Sequence, residues 1–182
     1  MSGEPRLAVH VLQAIPAQTM DATIEALTVA GAASIRPVLT GRTVVRPDPS
    51  QAARREERWQ AIAREAAQLA GRAAPPAVSS VMSLREALAH LPATAHLLAC
   101  VIRRDSTAIH AIATTSLAEI ALVIGPEGGL DGADLDALAA AGAAYVHLGP
   151  RTLPSRLAGA VATALLLAGA GDLDSIAEPP PQ

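Results

Sequence analysis

The stretch IALVIGPEGGLDGADLDALAAAGAAYVHLGPRTLPS, residues 120–155, decides how this chain is read. It opens on the apolar run Ile120-Ala121-Leu122-Val123-Ile124, which has the length and composition of a strand buried on both faces. The glycine-rich turn Gly125-Pro126-Glu127-Gly128-Gly129 follows at once. Asp131 then stands as the cap of a helix that Gly142 closes. The pattern returns with a strand over 145–149, the loop Gly149-Pro150-Arg151-Thr152-Leu153-Pro154-Ser155, and an apolar helix over 156–168. Glycine allows a ligand close to backbone amides, and loops at the carboxyl ends of strands are where α/β sheets bind ligands. Two such loops predict one shared crevice.

Outward from this stretch, strands and helices alternate. Residues 7–14 read as a strand, and 20–31 as a helix with Gly31 at its C-terminus. Residues 34–39 and 42–45 read as short extended pieces. Asp48 or Ser50 can cap a long helix that runs to Leu69 and closes at Gly71. Beyond Pro75-Pro76, residues 77–82 form a candidate strand, and Ser83 with Glu86 a capping box for a short helix. Residues 96–102 complete the set as a strand around Cys100. The class is α/β with a mostly parallel sheet, expected as one domain over 1–172 with a flexible tail over 173–182.

Composition removes several classes of function. At 51% hydrophobic and 17% charged residues, the 182-residue chain can bury a core and does not resemble a disordered one. A single cysteine excludes an internal disulfide and a multi-cysteine zinc site. His10, His90, His96, His110 and His147 show no metal-ligand spacing, so no metal is expected. His147, beside the second loop, reads as a structural strand histidine. All 14 basic residues are arginine; without lysine a phosphate-binding P-loop is impossible, and GPEGGLDG lacks the dinucleotide-binding spacing. Ser79, Ser80 and Ser155 lack the nucleophile-elbow context of serine hydrolases. No apolar span is long enough to cross a bilayer and MSGEPRLAV lacks a signal pattern, so a cytoplasmic protein with no membrane partner is expected.

The net charge of −3 is an average over unlike segments. Residues 36–72 carry eight arginines against four acids, and residues 105–182 two arginines against nine acids. A basic face on an acidic molecule is compatible with nucleic acid despite the overall sign.

Together, IGPEGG, LGPRTL, MDATIEALTVAGAASIRPVLTGRTVV, RWQAIAREAAQLAGR and the closing LLLAGAGDL resemble the SPOUT superfamily of RNA methyltransferases. More narrowly, they resemble the RsmE type, which methylates uracil N3 in 16S ribosomal RNA. The resemblance implies a SPOUT-type α/β knot with helices on both sheet faces and a C-terminal trefoil knot. It implies a homodimer that binds S-adenosylmethionine and acts on ribosomal RNA or the small ribosomal subunit. By position, Ile124, Gly125, Pro126, Glu127, Gly128 and Gly129 would form one wall of the cofactor pocket. Leu148, Gly149, Arg151 and Leu153 would form the other, and Arg42, Arg46 and Arg72 would face RNA. An arginine near the base could steady charge developing on the uracil oxygens, which makes Arg151 the catalytic candidate. Glu127 is the nearest proton acceptor, although a turn carboxylate more readily accepts loop amides.

Two departures from the family keep alternatives open. Few residues precede the first strand, so the N-terminal PUA-like barrel usual in the family is expected to be missing. Where the family has a basic residue followed by Thr-Glu-Thr-Ala, this chain has Pro154-Ser155-Arg156-Leu157-Ala158. A non-catalytic SPOUT-fold RNA- or ribosome-binding protein, and a small-molecule α/β enzyme using the same crevice, therefore stand beside the methyltransferase reading.

Overall fold

The computed structural model describes residues 4–17 and 20–174. Its elements run β1 (Ala8–Ala14), α1 (Asp21–Val29), β2 (Ser34–Leu39), α2 (Ala52–Leu69), β3 (Ala77–Val78), β4 (Met82–Ser83) and α3 (Leu84–Ala89). They continue through β5 (His96–Cys100), β6 (Thr107–Ala108), β7 (Glu119–Ile124), α4 (Gly132–Ala140), β8 (Ala144–His147) and α5 (Ser155–Gly169). Among the described residues eight strands form one sheet in the order β3-β2-β1-β7-β5-β8-β6, with β4 also beside β2. The strand pairings are parallel.

Helices cover both faces, which explains why the central strands are apolar without alternation. On one face Ile120, Leu122 and Ile124 of β7 pack with Ile24 and Leu27 of α1, Trp59 and Ala63 of α2, and Ala162 and Leu166 of α5. On the other, Ala121 and Val123 pack with Leu84 and Ala87 of α3 and Leu138 of α4. β7 is the hinge of both cores, with Leu122 opposite Val11 of β1 and Leu98 of β5.

The sequence signals for helix ends translate directly. Asp131 and Asp134, like Ser83 and Glu86, form reciprocal capping boxes. Asp48 accepts the Ser50 amide at 2.9 Å and caps a 3-10 turn, Pro49–Gln51, that feeds α2. Gly31 turns the chain out of α1 at φ +96°, and an added Cβ would stand 2.7 Å from Leu167 of α5. It is required twice, for its backbone angle and for its size.

Two expectations need correcting. Residues 42–45 form no strand: the Thr43 amide donates to the Thr40 carbonyl at 3.2 Å and the Thr43 hydroxyl accepts the Thr40 amide at 3.0 Å, folding residues 40–43 into a turn. The candidate strand 77–82 splits into β3 and β4, separated where the Ser79 amide reaches the Ile35 carbonyl at 3.1 Å. The two-residue β6 had no signal in the sequence. A 3-10 turn, Asp172–Asp174, follows α5, and the remainder of the tail expected over 173–182 lies outside the described residues.

Candidate functional site

The crevice expected from the two Gly-Pro loops is present at the carboxyl ends of β5, β7 and β8. It is a cavity of about 380 Å³, within the roughly 300–1,000 Å³ typical of small-molecule sites. Nine of the expected cofactor residues line it: Ile124, Gly125, Pro126, Glu127, Gly129, Leu148, Gly149, Arg151 and Leu153. Gly128 is the exception. Its carbonyl faces outward and accepts Arg42 Nη1 at 2.8 Å.

The first loop is held from three sides. Within it, the Gly129 amide donates to the Pro126 carbonyl at 2.9 Å. From outside, the turn after β2 clamps it: Arg42 holds Gly128, and the Gly41 amide reaches Asp134 Oδ2 at 3.1 Å. From below, Ser155 at the start of α5 donates its hydroxyl to the Gly125 carbonyl at 2.7 Å. Gln13 Nε2 in turn donates to Ser155 Oγ at 3.1 Å and to the Ala14 carbonyl at 3.0 Å. Gln13 and Ser155 are buried, where hydrogen bonds hold geometry most firmly. They join β1, β7 and α5 beneath the cavity.

The second loop turns at Gly149, with φ +94°, a region side chains disfavour. Its amide donates to Nδ1 of His147 at 3.1 Å, so a neutral His147 ring carries its proton on Nε2. His147 also lines the cavity. Its place directly before Leu148-Gly149 was the available signal, and a strand histidine alone did not raise it above a structural role. Ser155 was set aside for lacking a hydrolase context and returns as the tie between loop and helix. Cys100 sits at the cavity floor, where burial pushes its thiol up to about 12. It is a neutral, apolar lining group without thiolate character.

The polar candidates separate by environment. Glu127 is exposed, and its Oε2 accepts the Ala17 amide at 3.1 Å, tying the first loop to the segment after β1. Arg151 and Arg46 are exposed with no hydrogen-bonding partner among the described residues. Arg72 overturns its expected role. Its side chain is 6% exposed and paired with Glu4 at 2.7 Å. Its Nη1 donates to the Thr28 and Ala32 carbonyls, each at 2.9 Å. These contacts, made by a side chain buried at the end of the sheet remote from the cavity, commit the guanidinium to the fold. Burial disfavours the Glu4 carboxylate, but the bonds from Arg72, Ala74 and Ala73 outweigh it and hold the group below its ordinary value.

Among the described residues no cluster of three or more His, Cys, Asp or Glu could hold a metal ion, and no helix is long and apolar enough to cross a membrane. The lining suits an adenosyl-type ligand: Ile124, Val146, Leu148 and Leu153 offer apolar surface, and the Gly125, Gly129 and Gly149 backbones lie open beside it.

Comparison with known proteins bears on what occupies such a cavity. The family model described as RNA methyltransferase domain matches residues 3–167. The chain is 35% identical over 163 residues to the ribosomal RNA small subunit methyltransferase E of Mycobacterium bovis, covering 86% of this chain and 62% of that protein. Among solved structures it is similar to the ribosomal RNA small subunit methyltransferase E of Neisseria gonorrhoeae bound to S-adenosyl methionine. That match has a TM-score of 0.79 and 32% identity, over 88% of this chain and 65% of that one. A methyltransferase of Legionella pneumophila in complex with S-adenosylmethionine superimposes with a TM-score of 0.84 at 25% identity, over 92% and 69% of the two chains. The chain thus spans 62% of the length of the curated mycobacterial relative.

Proposed function

The chain belongs to the RNA methyltransferase domain family, and on that premise we propose that it transfers a methyl group from S-adenosylmethionine to N3 of a uridine in small-subunit ribosomal RNA. The observation that carries the reading is the cavity between the 125–130 and 148–154 loops, lined by nine residues assigned to a cofactor pocket from sequence. Bound there, S-adenosylmethionine supplies an electrophilic methyl group on a sulfonium centre. The protein's task is then positioning. Ser155 and Gln13 hold the Gly125 carbonyl, Arg42 holds Gly128, and His147 holds the Gly149 amide. Exposed Arg151 at the rim is placed to meet negative charge that develops on the uracil oxygens as N3 loses its proton. Glu127, occupied by the Ala17 amide, serves the loop rather than the proton.

Two finer features belong to the same reading. The strand order places β8 between β5 and β6, which residues 101–106 connect directly. This supports a C-terminal trefoil knot, because a late segment occupies the gap inside an earlier connection. Leu157, Val161 and Leu165 stand 42%, 38% and 38% exposed at i, i+4 and i+8 on α5. That apolar stripe supports a homodimer packed through α5.

The test is calorimetric binding of S-adenosylmethionine and S-adenosylhomocysteine, with labelled methyl transfer onto small ribosomal subunits and mass mapping of the product. Gly149→Val is expected to abolish both. If neither ligand binds at high micromolar concentration, the proposal fails.

A further inference from the structure

At the cavity mouth Ile102, which lines the cavity, is 78% exposed, and the guanidinium of the next residue, Arg103, stands over the ring of the single tyrosine of the chain. Its guanidinium carbon is 4.6 Å from the centre of the Tyr145 ring. Asp105 grips one edge of the guanidinium, accepting Nε at 2.9 Å and Nη2 at 3.0 Å. The supporting turn is closed by the Ser106 hydroxyl on the Arg103 carbonyl at 2.7 Å. Both ends of that turn are pinned to β8: the Val101 amide donates to the Val146 carbonyl at 3.0 Å, and Thr107 is registered with Val146. One face and one edge of the Arg103 plane are taken, yet its side chain remains 39% exposed.

We infer that the outer face of Arg103, backed by Tyr145, is a stacking platform for an unpaired nucleobase of the RNA substrate at the cavity mouth. The inference rests on the methyltransferase reading and deepens it by naming how the substrate is gripped. Single-stranded bases are held by stacking on aromatic rings and on guanidinium planes. A phosphate contact would want the opposite arrangement, a guanidinium whose charge is unspent and whose forked edge is open. Here the carboxylate of Asp105 occupies the Nε–Nη2 edge and offsets the charge, so that edge is closed to a phosphate and the open face is what Arg103 chiefly offers. Its remaining Nη1 edge can still donate to a base oxygen. The exposed Ile102 extends the same surface toward the cavity, where a base leaving the stack would be guided to the methyl donor.

The platform is tested by fluorescence anisotropy with labelled oligouridine and a matched abasic ribose-phosphate oligomer, in saturating S-adenosylhomocysteine over a range of salt. Arg103→Ala is expected to weaken oligouridine binding about 10-fold, within the range known for stacking on one base, and to leave the abasic oligomer unaffected. Arg103→Lys, which keeps charge without a plane, is expected to lose as much as Arg103→Ala with no change in salt slope. Tyr145→Phe, which keeps the ring, is expected to bind normally, because the Tyr145 hydroxyl makes only a long 3.4 Å contact to the Leu135 carbonyl. Thermal melting of each variant verifies folding. Rescue by Arg103→Lys, an equal loss with the abasic oligomer, no effect of Arg103→Ala, or no oligouridine binding by the unaltered chain would each overturn the platform. Methyl transfer onto ribosomal subunits, measured in parallel, decides the methyltransferase reading separately.

Discussion

The two ends of the sheet use arginine for opposite purposes. At the end remote from the cavity, Arg72 is buried and spends its guanidinium on Glu4 and the carbonyls of Thr28 and Ala32. There it holds the close of α1, the exit from α2 and the approach to β1 as one unit. At the cavity end, Arg46 and Arg151 stand open, and Arg42 commits one nitrogen to the Gly128 carbonyl. In a sequence these are four similar letters. What separates them is whether backbone oxygens without partners lie within reach, since a buried carbonyl must be satisfied.

This contrast can be broken most directly at Arg72. Arg72→Ala should cost about 3 kcal/mol in urea unfolding, because it removes the cation paired with Glu4 and leaves two carbonyls without their donor, while RNA affinity of the folded variant stays unchanged. Loss of RNA affinity at unchanged stability would reverse the assignment. The same tie sets a pH dependence. Glu4 is held below its ordinary carboxylate value, so its contribution is present above that value and disappears as pH falls through the lower folded one. Acid titration of stability should show this limb, and Arg72→Ala should shrink it to what the Ala73 and Ala74 amides sustain.

Gly149→Ala comes next, costing about 2 kcal/mol because a side chain must adopt φ +94°. It should also lower calorimetric affinity for S-adenosylhomocysteine. Arg42→Ala should cost about 1 kcal/mol of stability, typical of one hydrogen bond, and weaken the same ligand severalfold by freeing Gly128. A larger effect on RNA than on this ligand would move Arg42 to the substrate side. The smallest effect belongs to Arg46→Ala, with stability within about 0.5 kcal/mol of the parent. If Arg46 touches phosphate, the log–log salt slope of RNA binding should fall by about 0.7.

The difference also explains what could be read before the structure. The cavity was legible because Gly129 and Gly149 mark backbone geometry that other residues avoid, and that geometry is local. The helix ends were legible for the same reason, through Asp131 with Asp134 and Ser83 with Glu86. Arg72 was misassigned because its partners are 44 and 68 residues away in sequence. Residues 42–45 have strand-forming composition, yet the Thr40–Thr43 bonds turn them toward the 125–131 loop. Gln13 and Ser155 are 142 residues apart, and nothing near either residue announces the other.

The placement of β7 between β1 and β5 has a consequence for how the molecule comes into being. Ala8 pairs with Glu119 and Gln13 with Ile124, so the central ladder joins the first strand to one synthesised more than a hundred residues later. Contacts that distant are slow to find. While the chain emerges from the ribosome, β1 can pair with β2 but keeps its other edge open until β7 arrives. An open edge is a template for pairing with other chains. Nascent molecules stalled before residue 119 are therefore the species most exposed to misassembly, and completion of β7 is the event that ends that exposure.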